Sequence, residues 1–568
     1  MKRETNKRII FQYSIMILCC LNLLYMHYSI FTDGNDLGTF LYIENFCFTI
    51  IDCCILFIIP FLVIKKRLYL YFIPLVFTNI LALANIWYSR YFSSYLPLSL
   101  YTEYDNLNGL SANIINAIKL QDLVVPLSLI AGILFYLYYK KQIISSPAIS
   151  RIRQSAIISG TGILLAVVLV GISATRWKNL SWKYITPYNY NPVQSTFQYG
   201  MAHSYAVEWN KRHTKSYSIK ELETLKPLIT SESSNIEKEH IHQNLIFIIV
   251  ESLLSYATNL TIDDFEITPN LNNLVKEGAY YNDNMTPQIQ AGESIDGQLI
   301  YMTGLLPKKQ GITINDYLNN TFISLPSLLK EKGLKTKMIV PTALTMWQQN
   351  KVCRKFEIES LFSRNTYPNQ EQVNGWLTDQ QLFQHVATTD SIDKNNFMSV
   401  ILTSSTHSPY TNSIKEYPIQ YPQNYSNELR SYLSNVHYMD ACLGEYIHSL
   451  KTSGLYNNSL IIIVSDHQAH DFLLNSDDLK IPYSIPLYII NSPQKIEKDK
   501  HYPINQCDIF PTILDLMGIE SQWRGVGNSI LTPDSILNTS FQKERNRNME
   551  RISDIILDSD YFSSNPLK

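Results

Sequence analysis

The chain has 568 residues, 46% of them hydrophobic and 17% charged, with a net charge of -2. This length exceeds what one ordinary core accommodates, so more than one domain is expected. The near-neutral charge excludes an extended nucleic-acid-binding surface, which needs clustered Lys and Arg. Outside the apolar N-terminal part the cysteines are Cys353, Cys442 and Cys507, without CxxC spacing. This pattern excludes a disulfide framework and a thiolate metal site.

The first third of the chain contains apolar runs long enough to cross a bilayer. The predicted membrane spans are residues 9–31, 40–64, 68–88, 121–139 and 155–175. The N-terminus and the second and fourth loops are basic, whereas the first loop is acidic and the third carries little positive charge. Because positively charged loops stay in the cytoplasm, everything after residue 175 is predicted to lie outside it.

The remaining sequence divides into a connector and a soluble part. The predicted division is a transmembrane domain at 1–175, a juxtamembrane connector at 176–243, a soluble domain at 244–540 and a C-terminal tail at 541–568. Within the connector, residues 219–228 have the pattern of a short helix. No internal repeat is visible, which gives solenoid and propeller folds no support.

Short apolar runs alternate with helix-like segments from residue 244 onward, a pattern typical of an α/β fold with a mostly parallel sheet between helices. The predicted strands are 245–250, 335–340, 397–403, 460–464 and 485–490. The predicted helices are 269–277, 294–304, 324–332, 376–387, 426–452 and 508–517. In such a sheet the ligand site lies beyond the carboxyl ends of the strands.

Ionisable side chains follow two of these strands. The run NLIFIIVES ends in Glu251, and IIIVSDH ends in Asp466 and His467. Each is commonplace by itself, but two carboxylates and an imidazole delivered by strand ends form a ligand set suited to zinc or manganese.

The segment AGESIDGQLIYMTGLLP adds a hydroxyl group. Gly292 permits a tight turn, and Ser294 stands where a helix begins. From spacing alone, a helix-capping serine is the better interpretation. The alternative is a nucleophile, because a metal ion and a helix N-terminus both stabilise the alkoxide needed to attack phosphorus.

Histidines near strand ends are further candidates. His407 follows the strand in FMSVILTSSTHSPY, where it could donate a proton or bind a phosphoryl oxygen, or be a simple loop histidine. His470 and Asp471 follow His467 closely and are further candidates for the site, although nothing in their spacing indicates a specific role.

With these residues assembled, the chain resembles the lipoteichoic acid synthase family of membrane phosphoglycerol transferases. Further similar segments are TPNLNNLVKEG, NVHYMDACLGEYI and NQCDIFPTILDLMGI. The resemblance implies about five transmembrane helices followed by a sulfatase-like extracellular domain of the alkaline phosphatase superfamily, in a bacterial cell membrane. It also implies one divalent ion, Mn²⁺ or Zn²⁺ with Mg²⁺ as a third candidate, a phospholipid donor, and a glycan or lipid acceptor.

The resemblance assigns roles residue by residue. The metal ligands fall on Glu251, Ser294, Asp466 and His467, with Ser294 also the nucleophile. The family's substrate-binding residues fall on His407 and Trp347, the former also assisting proton transfer.

Three departures from the family pattern bear on specificity. Ser294 replaces the usual Thr, which preserves the hydroxyl group. The segment lacks the C/S-x-P-x-R sequence of sulfatases, which argues against sulfate-ester hydrolysis. Gln349 stands where the family has an Arg, so a bidentate phosphate contact is lost.

The expected function is transfer of phosphoglycerol or phosphoethanolamine from a phospholipid to an extracytoplasmic acceptor through a phospho-Ser294 intermediate. One alternative is a phosphodiesterase or phosphatase with water as acceptor. Another is a non-catalytic membrane sensor or scaffold that has kept the fold. A transporter is weaker, because the spans contain scarcely any charged residues.

Overall fold

The computed structural model divides the chain into two compact units, one formed by Met1–Tyr101 with Ile114–Thr214 and the other by Thr102–Asn113 with Lys215–Lys568. The residues that it describes are 2–32, 38–64, 67–92, 95–102, 111–140, 148–176, 196, 199–213, 219–229, 243–290, 292–309, 311–344, 346–366, 372–373, 376–392, 396–408, 410–470, 474 and 479–564.

The first unit is helical. The helices of this part of the chain are α1 (Lys2–Thr32), α2 (Gly38–Val63), α3 (Phe72–Phe92), α4 (Ser111–Ala117), α5 (Val124–Tyr139), α6 (Ala148–Arg176) and α7 (Met201–His213), and the first three residues of α4 are assigned to the second unit. Four segments of the described chain are long and apolar enough to cross a membrane, namely Lys7–Ile30, Asn45–Val63, Leu68–Arg90 and Leu120–Tyr139. They correspond to the first four predicted spans.

The fifth predicted span falls on α6, which has 29 residues and is not among those four segments. The helix packs against α2, since Arg151 Nε donates to the Leu62 carbonyl at 3.0 Å and Ser155 Oγ to the Ile58 carbonyl at 3.2 Å. The side chains of α6 after residue 167 lie outside the described residues, so this span stays a prediction.

Buried charges in the helical unit have partners. Arg90 forms an ion pair with Asp122 at 2.7 Å. The Asp52 carboxylate accepts hydrogen bonds from the amides of Met201 at 2.7 Å and Ala202 at 3.2 Å. A carboxylate at this position complements the positive end of α7, so Asp52 ties the first described helix of the connector to α2.

The second unit is built on an eight-stranded sheet of order β12-β4-β11-β10-β1-β9-β5-β6. Only β11 runs antiparallel to the other strands of this sheet, because both of its neighbours pair with it in the antiparallel sense and the remaining pairs are parallel. Two short hairpins, β2–β3 and β7–β8, stand apart from it. The strands are β1 (Asn244–Val250), β2 (Thr261–Ile262), β3 (Phe265–Glu266), β4 (Tyr280–Thr286), β5 (Lys335–Ile339), β6 (Ser360–Phe362), β7 (Gln372–Val373), β8 (Trp376–Leu377), β9 (Phe397–Leu402), β10 (Ser459–Ser465), β11 (Ile485–Ile490) and β12 (Ile504–Asn505).

The helices that flank this sheet agree with the predicted α/β fold. They are α8 (Ile219–Ile229), α9 (Pro269–Lys276), α10 (Ser294–Thr303), α11 (Thr313–Asp316), α12 (Leu325–Glu331), α13 (Gln349–Lys355), α14 (Asp379–Ile392), α15 (Asn427–Thr452), α16 (Ile509–Leu516), α17 (Asp534–Leu537), α18 (Ser540–Arg547), α19 (Met549–Ser559) and α20 (Tyr561–Ser564). The helix predicted at 376–387 begins later, because its first residues form β8. The strands β4, β6 and β12 escaped prediction, since β4 is polar and the other two are short.

The C-terminal helices pack onto the sheet domain through Arg545, whose side chain is 2% exposed. Its guanidinium donates to the carbonyls of Leu228 at 3.1 Å, Val526 at 3.2 Å and Gly527 at 3.0 Å, and to that of Gly525. The segment predicted as a C-terminal tail therefore contains helices joined to both α8 and the loop after α16. The domain boundaries at 175, 243 and 540 stay predictions.

Arg545→Ala is expected to destabilise the protein by about 3 kcal/mol, because it leaves buried carbonyls without donors and opens a cavity. The measurement is the thermal unfolding of the purified full-length protein. Arg547→Ala, on the exposed face of the same helix, is the matched control and should change stability by no more than about 0.5 kcal/mol. Equal effects of the two substitutions would contradict the role of Arg545.

Candidate active site

Two neighbouring parallel strands bring the predicted carboxylates together. β1 and β10 pair along their whole length, with Val250 opposite Ser465, so that Glu251 and Asp466 leave the sheet side by side. Both are buried, 7% and 3% exposed. The Asp466 Oδ1 atom accepts hydrogen bonds from the amides of Ser252 and His467, each at 2.8 Å. The backbone thus aims both carboxylates at one point beyond the carboxyl edge of the sheet.

The Ser294 hydroxyl lies at the same point. Its Oγ is 3.2 Å from Glu251 Oε2 and 3.2 Å from His467 Nε2. Ser294 is the first residue of α10, where Glu293 occupies the capping position, and neither side chain caps the helix. Instead Asp296 Oδ2 accepts the amide hydrogens of Gln290 and Gly292, both at 3.0 Å. The interpretation of Ser294 as a helix cap is therefore wrong, because its hydroxyl points to the carboxylate and the imidazole.

The side chains of Glu251, Asp466 and His467 form a group that fits a divalent ion. Their ligand atoms lie within 4.8 Å of one another. Burial and the charge of Glu251 raise the pKa of Asp466, because two carboxylates are held together away from water. Burial also opposes ionisation of Glu251, yet the histidines His407 and His467 lower its pKa overall. A cation bound between these oxygens would relieve their repulsion, so the donor set and its electrostatics suit a metal ion.

The orientation of the His467 ring suits a metal ligand. Its Nδ1 lies 2.8 Å from the Gln468 carbonyl, so Nδ1 carries the hydrogen and donates it there. Nε2 then faces Ser294, with Glu251 Oε1 at 3.4 Å and Asp466 Oδ2 at 3.5 Å. Burial opposes protonation, but the nearby carboxylates raise the pKa of His467, and a cation bound at Nε2 would displace that proton. A hydrogen bond on the far nitrogen is the usual way in which proteins orient a metal-binding imidazole.

His407 is held by a turn after β9. Asp379 Oδ1 accepts the amide hydrogens of Ser404 at 2.8 Å and Ser405 at 3.2 Å, and the Trp376 ring packs edge-on against the His407 imidazole at 4.3 Å. The His407 Nδ1 lies 2.6 Å from the Ser408 carbonyl, and burial lowers the pKa of this histidine. The prediction from sequence missed Asp379, whose only signal is its place at the start of a helix.

The Trp347 segment lies against the helix that begins at Ser294. Gln349 is 3% exposed, and its Nε2 donates to Gln298 Oε1 at 2.8 Å. Gln298 is one turn along α10 from Ser294, so the Gln349 amide is turned into the protein rather than toward solvent. Trp347 is half-buried and has a left-handed backbone, with φ 52°. Its role in substrate binding stays a prediction.

The other histidine candidate lies nearby. The His470 ring centre is 6.3 Å from that of His467, and burial lowers the pKa of His470 to about 3. It is therefore neutral near pH 7. Asp471 lies outside the described residues.

Comparisons with known proteins agree with this arrangement. Residues 1–199 match the model of the lipoteichoic acid synthase N-terminal domain, and residues 243–519 match the sulfatase model. The chain is 25% identical to the lipoteichoic acid synthase of Staphylococcus saprophyticus, over 83% of this chain and 76% of that protein.

Two solved structures share the fold. A lipoteichoic acid synthase from Listeria monocytogenes matches with a TM-score of 0.51 and 19% identity, over 61% of this chain and 99% of that one. The lipooligosaccharide phosphoethanolamine transferase A from Neisseria meningitidis matches with a TM-score of 0.54 and 13% identity, over 89% of this chain and 96% of that one.

The fold, the site and the membrane helices define a membrane-anchored phosphoryl-group transferase of the alkaline phosphatase superfamily. It is a multi-pass protein of the bacterial cell membrane, and its catalytic domain lies outside the cytoplasm. The chain belongs to the lipoteichoic acid synthase family.

Proposed function

We propose that this protein transfers the phosphorylated head group of a phospholipid, phosphoglycerol or phosphoethanolamine, to a hydroxyl group of an extracytoplasmic glycan or lipid, through a covalent phospho-Ser294 intermediate. The observation that carries this proposal is the position of Ser294 Oγ, 3.2 Å from both Glu251 Oε2 and His467 Nε2 at the N-terminus of α10. A hydroxyl beside a carboxylate that can accept its hydrogen, with the positive end of a helix dipole behind it, is suited to nucleophilic attack.

In the first step Ser294 Oγ forms a bond to phosphorus, and the bond from phosphorus to the diacylglycerol oxygen breaks. Ser294 gives its proton to solvent water, and the departing diacylglycerol oxygen takes up a proton from solvent, so the step balances in protons. The His407 Nδ1 hydrogen is held by the Ser408 carbonyl, so its Nε2 is the nitrogen left to carry that proton or to bind a phosphoryl oxygen.

In the second step an acceptor hydroxyl attacks the phosphorus of phospho-Ser294. The acceptor oxygen loses a proton, and Ser294 regains one as its bond to phosphorus breaks. The membrane helices anchor the catalytic domain to the bilayer that contains the donor and so raise the effective concentration of the donor.

We propose that Glu251, Ser294, Asp466 and His467 hold one divalent ion, Mn²⁺ or Zn²⁺. Such an ion, when bound, lowers the pKa of a coordinated hydroxyl and offsets negative charge at the phosphorus. Two carboxylate oxygens and one imidazole nitrogen within 4.8 Å of one another support this assignment.

The test is incubation of the purified, metal-loaded full-length protein with vesicles containing phospholipid labelled in the head group, in the presence of a glycan or lipid acceptor. We expect free diacylglycerol and label on the acceptor. If the label appeared only as free head-group phosphate, the reaction would be hydrolysis and not transfer. If no diacylglycerol were released with any divalent ion, the protein would be a non-catalytic scaffold.

Gly297→Ala is expected to lower the rate of diacylglycerol release by roughly 10²-fold, because a misplacement of about 1 Å in an active site has that effect. A methyl group at Gly297 would lie 2.6 Å from the Asp466 carbonyl oxygen, so α10 must move away from the carboxylates. Gly160→Ala, in a helix with no heavy atom within 4 Å of the added carbon, is the matched control. An unaltered rate in Gly297→Ala would show that the close contact between Gly297 and Asp466 does not control the position of Ser294.

A further inference from the structure

Glu293 is an acidic residue beside the nucleophile that the proposed mechanism does not use. It directly precedes Ser294, and its side chain is 17% exposed.

The contact between Glu293 and His467 leaves the Glu293 carboxylate able to accept further hydrogen bonds. Its Oε2 is 3.5 Å from His467 Nδ1, longer than a charge-assisted hydrogen bond. The same Nδ1 lies 2.8 Å from the Gln468 carbonyl, which takes its hydrogen. Among the residues that the structure describes, no other group donates a hydrogen bond to the Glu293 carboxylate, so its oxygens can accept from a ligand.

The backbone of Glu293 is in a conformation that favours glycine, with φ 48° and ψ -121°. A glycine would adopt it without steric cost, whereas a residue with a side chain adopts it under strain. Strained residues of this kind cluster at functional sites, and here the strained residue directly precedes the nucleophile and sets its carboxylate beside the His467 ring.

The charge around Ser294 is unusually negative for a site that binds a phosphodiester. Among the described residues, Glu251, Asp466 and Glu293 form ion pairs with His467 and with no Lys or Arg. One divalent ion balances the negative charge of two carboxylates, so the charge of the third carboxylate stays unbalanced. Gln349 adds no positive charge, because its amide is buried against Gln298.

We propose that Glu293 binds the ammonium group of the transferred head group, and that the donor is an aminoalkyl phospholipid such as phosphatidylethanolamine rather than phosphatidylglycerol. This inference rests on the proposed function and names its donor. An ethanolamine head group carries its ammonium two carbons from the phosphate oxygen, which suits a carboxylate one residue from the nucleophile.

The test compares diacylglycerol release from phosphatidylethanolamine and phosphatidylglycerol with identical labelled acyl chains, each in phosphatidylcholine vesicles, by the metal-loaded full-length protein. The wild type should have a kcat/KM about tenfold higher for phosphatidylethanolamine, the factor that one charged contact of ~1.4 kcal/mol provides. Glu293→Gln should remove this preference by lowering kcat/KM for phosphatidylethanolamine alone. Glu277→Gln, which removes a carboxylate before β4 at the opposite edge of the sheet, should leave both values unchanged.

Binding gives a second measurement that does not depend on turnover. In the Ser294→Ala background, calorimetric titration with free phosphoethanolamine should give a Kd about tenfold lower than titration with glycerol 1-phosphate, and Glu293→Gln should abolish the difference. Preference for phosphatidylglycerol, or an equal loss on both lipids in Glu293→Gln, would overturn the assignment while the transferase function stands. Absence of diacylglycerol release from both lipids would overturn the proposed function itself.

Discussion

Ser294→Ala is expected to lower the rate of diacylglycerol release by roughly 10⁴-fold or more, because the variant lacks the oxygen that bonds to phosphorus. The measurement is diacylglycerol release from labelled phospholipid by the metal-loaded full-length protein. Mass spectrometry of the wild type during turnover should show the mass of the transferred group on the peptide that contains Ser294.

Ser294→Thr is the matched control, since threonine keeps the hydroxyl group at the same position. It should retain measurable transfer, whereas Ser294→Ala should not. Turnover by Ser294→Ala at the wild-type rate would remove Ser294 as the nucleophile, and the mechanism would then need a different attacking group.

Asp466→Asn is expected to abolish stabilisation by divalent ions together with transfer. An ion at 100 times its Kd stabilises the folded protein by about 2.7 kcal/mol, so Mn²⁺ or Zn²⁺ should raise the unfolding temperature of the wild type by several degrees. The rise should disappear in Asp466→Asn, because the neutral amide is a poor ligand. The measurement is thermal unfolding after chelation and stepwise addition of each ion.

Two variants separate metal binding from chemistry. Ser294→Ala should keep most of the metal-dependent rise in unfolding temperature, since Glu251, Asp466 and His467 remain. Asp263→Asn, in the exposed turn between β2 and β3, should keep both the rise and the transfer activity. A full metal response in Asp466→Asn would place the ion elsewhere.

The local patterns that predicted the sheet have a simple physical basis. Strands buried on both faces, such as β1 and β10, are continuous apolar runs, and all their residues are buried in the structure. β4 escaped prediction because its sequence, YYNDNMT, mixes buried and exposed positions and so shows no such run. A strand that is buried on both faces can be recognised from its sequence, whereas a partly exposed strand such as β4 cannot.

The candidate site was predictable only in part. Glu251, Asp466 and His467 follow recognisable strands, and the structure brings them together with Ser294. Asp379 gave no usable signal, because it acts through the turn that holds His407, and that turn is contributed by a separate strand.

By itself the sequence indicated four of the membrane spans, the strands that are buried on both faces and the residue types that carry the chemistry, because each is a property of a short stretch of chain. Tertiary structure alone decided which of these side chains meet. The contact of Ser294 with His467 spans 173 residues and that of Gln298 with Gln349 spans 51. The position of the Glu293 carboxylate beside the His467 ring likewise depends on packing between distant residues. Contacts between distant residues follow from how strands and helices pack, and no local pattern encodes that packing.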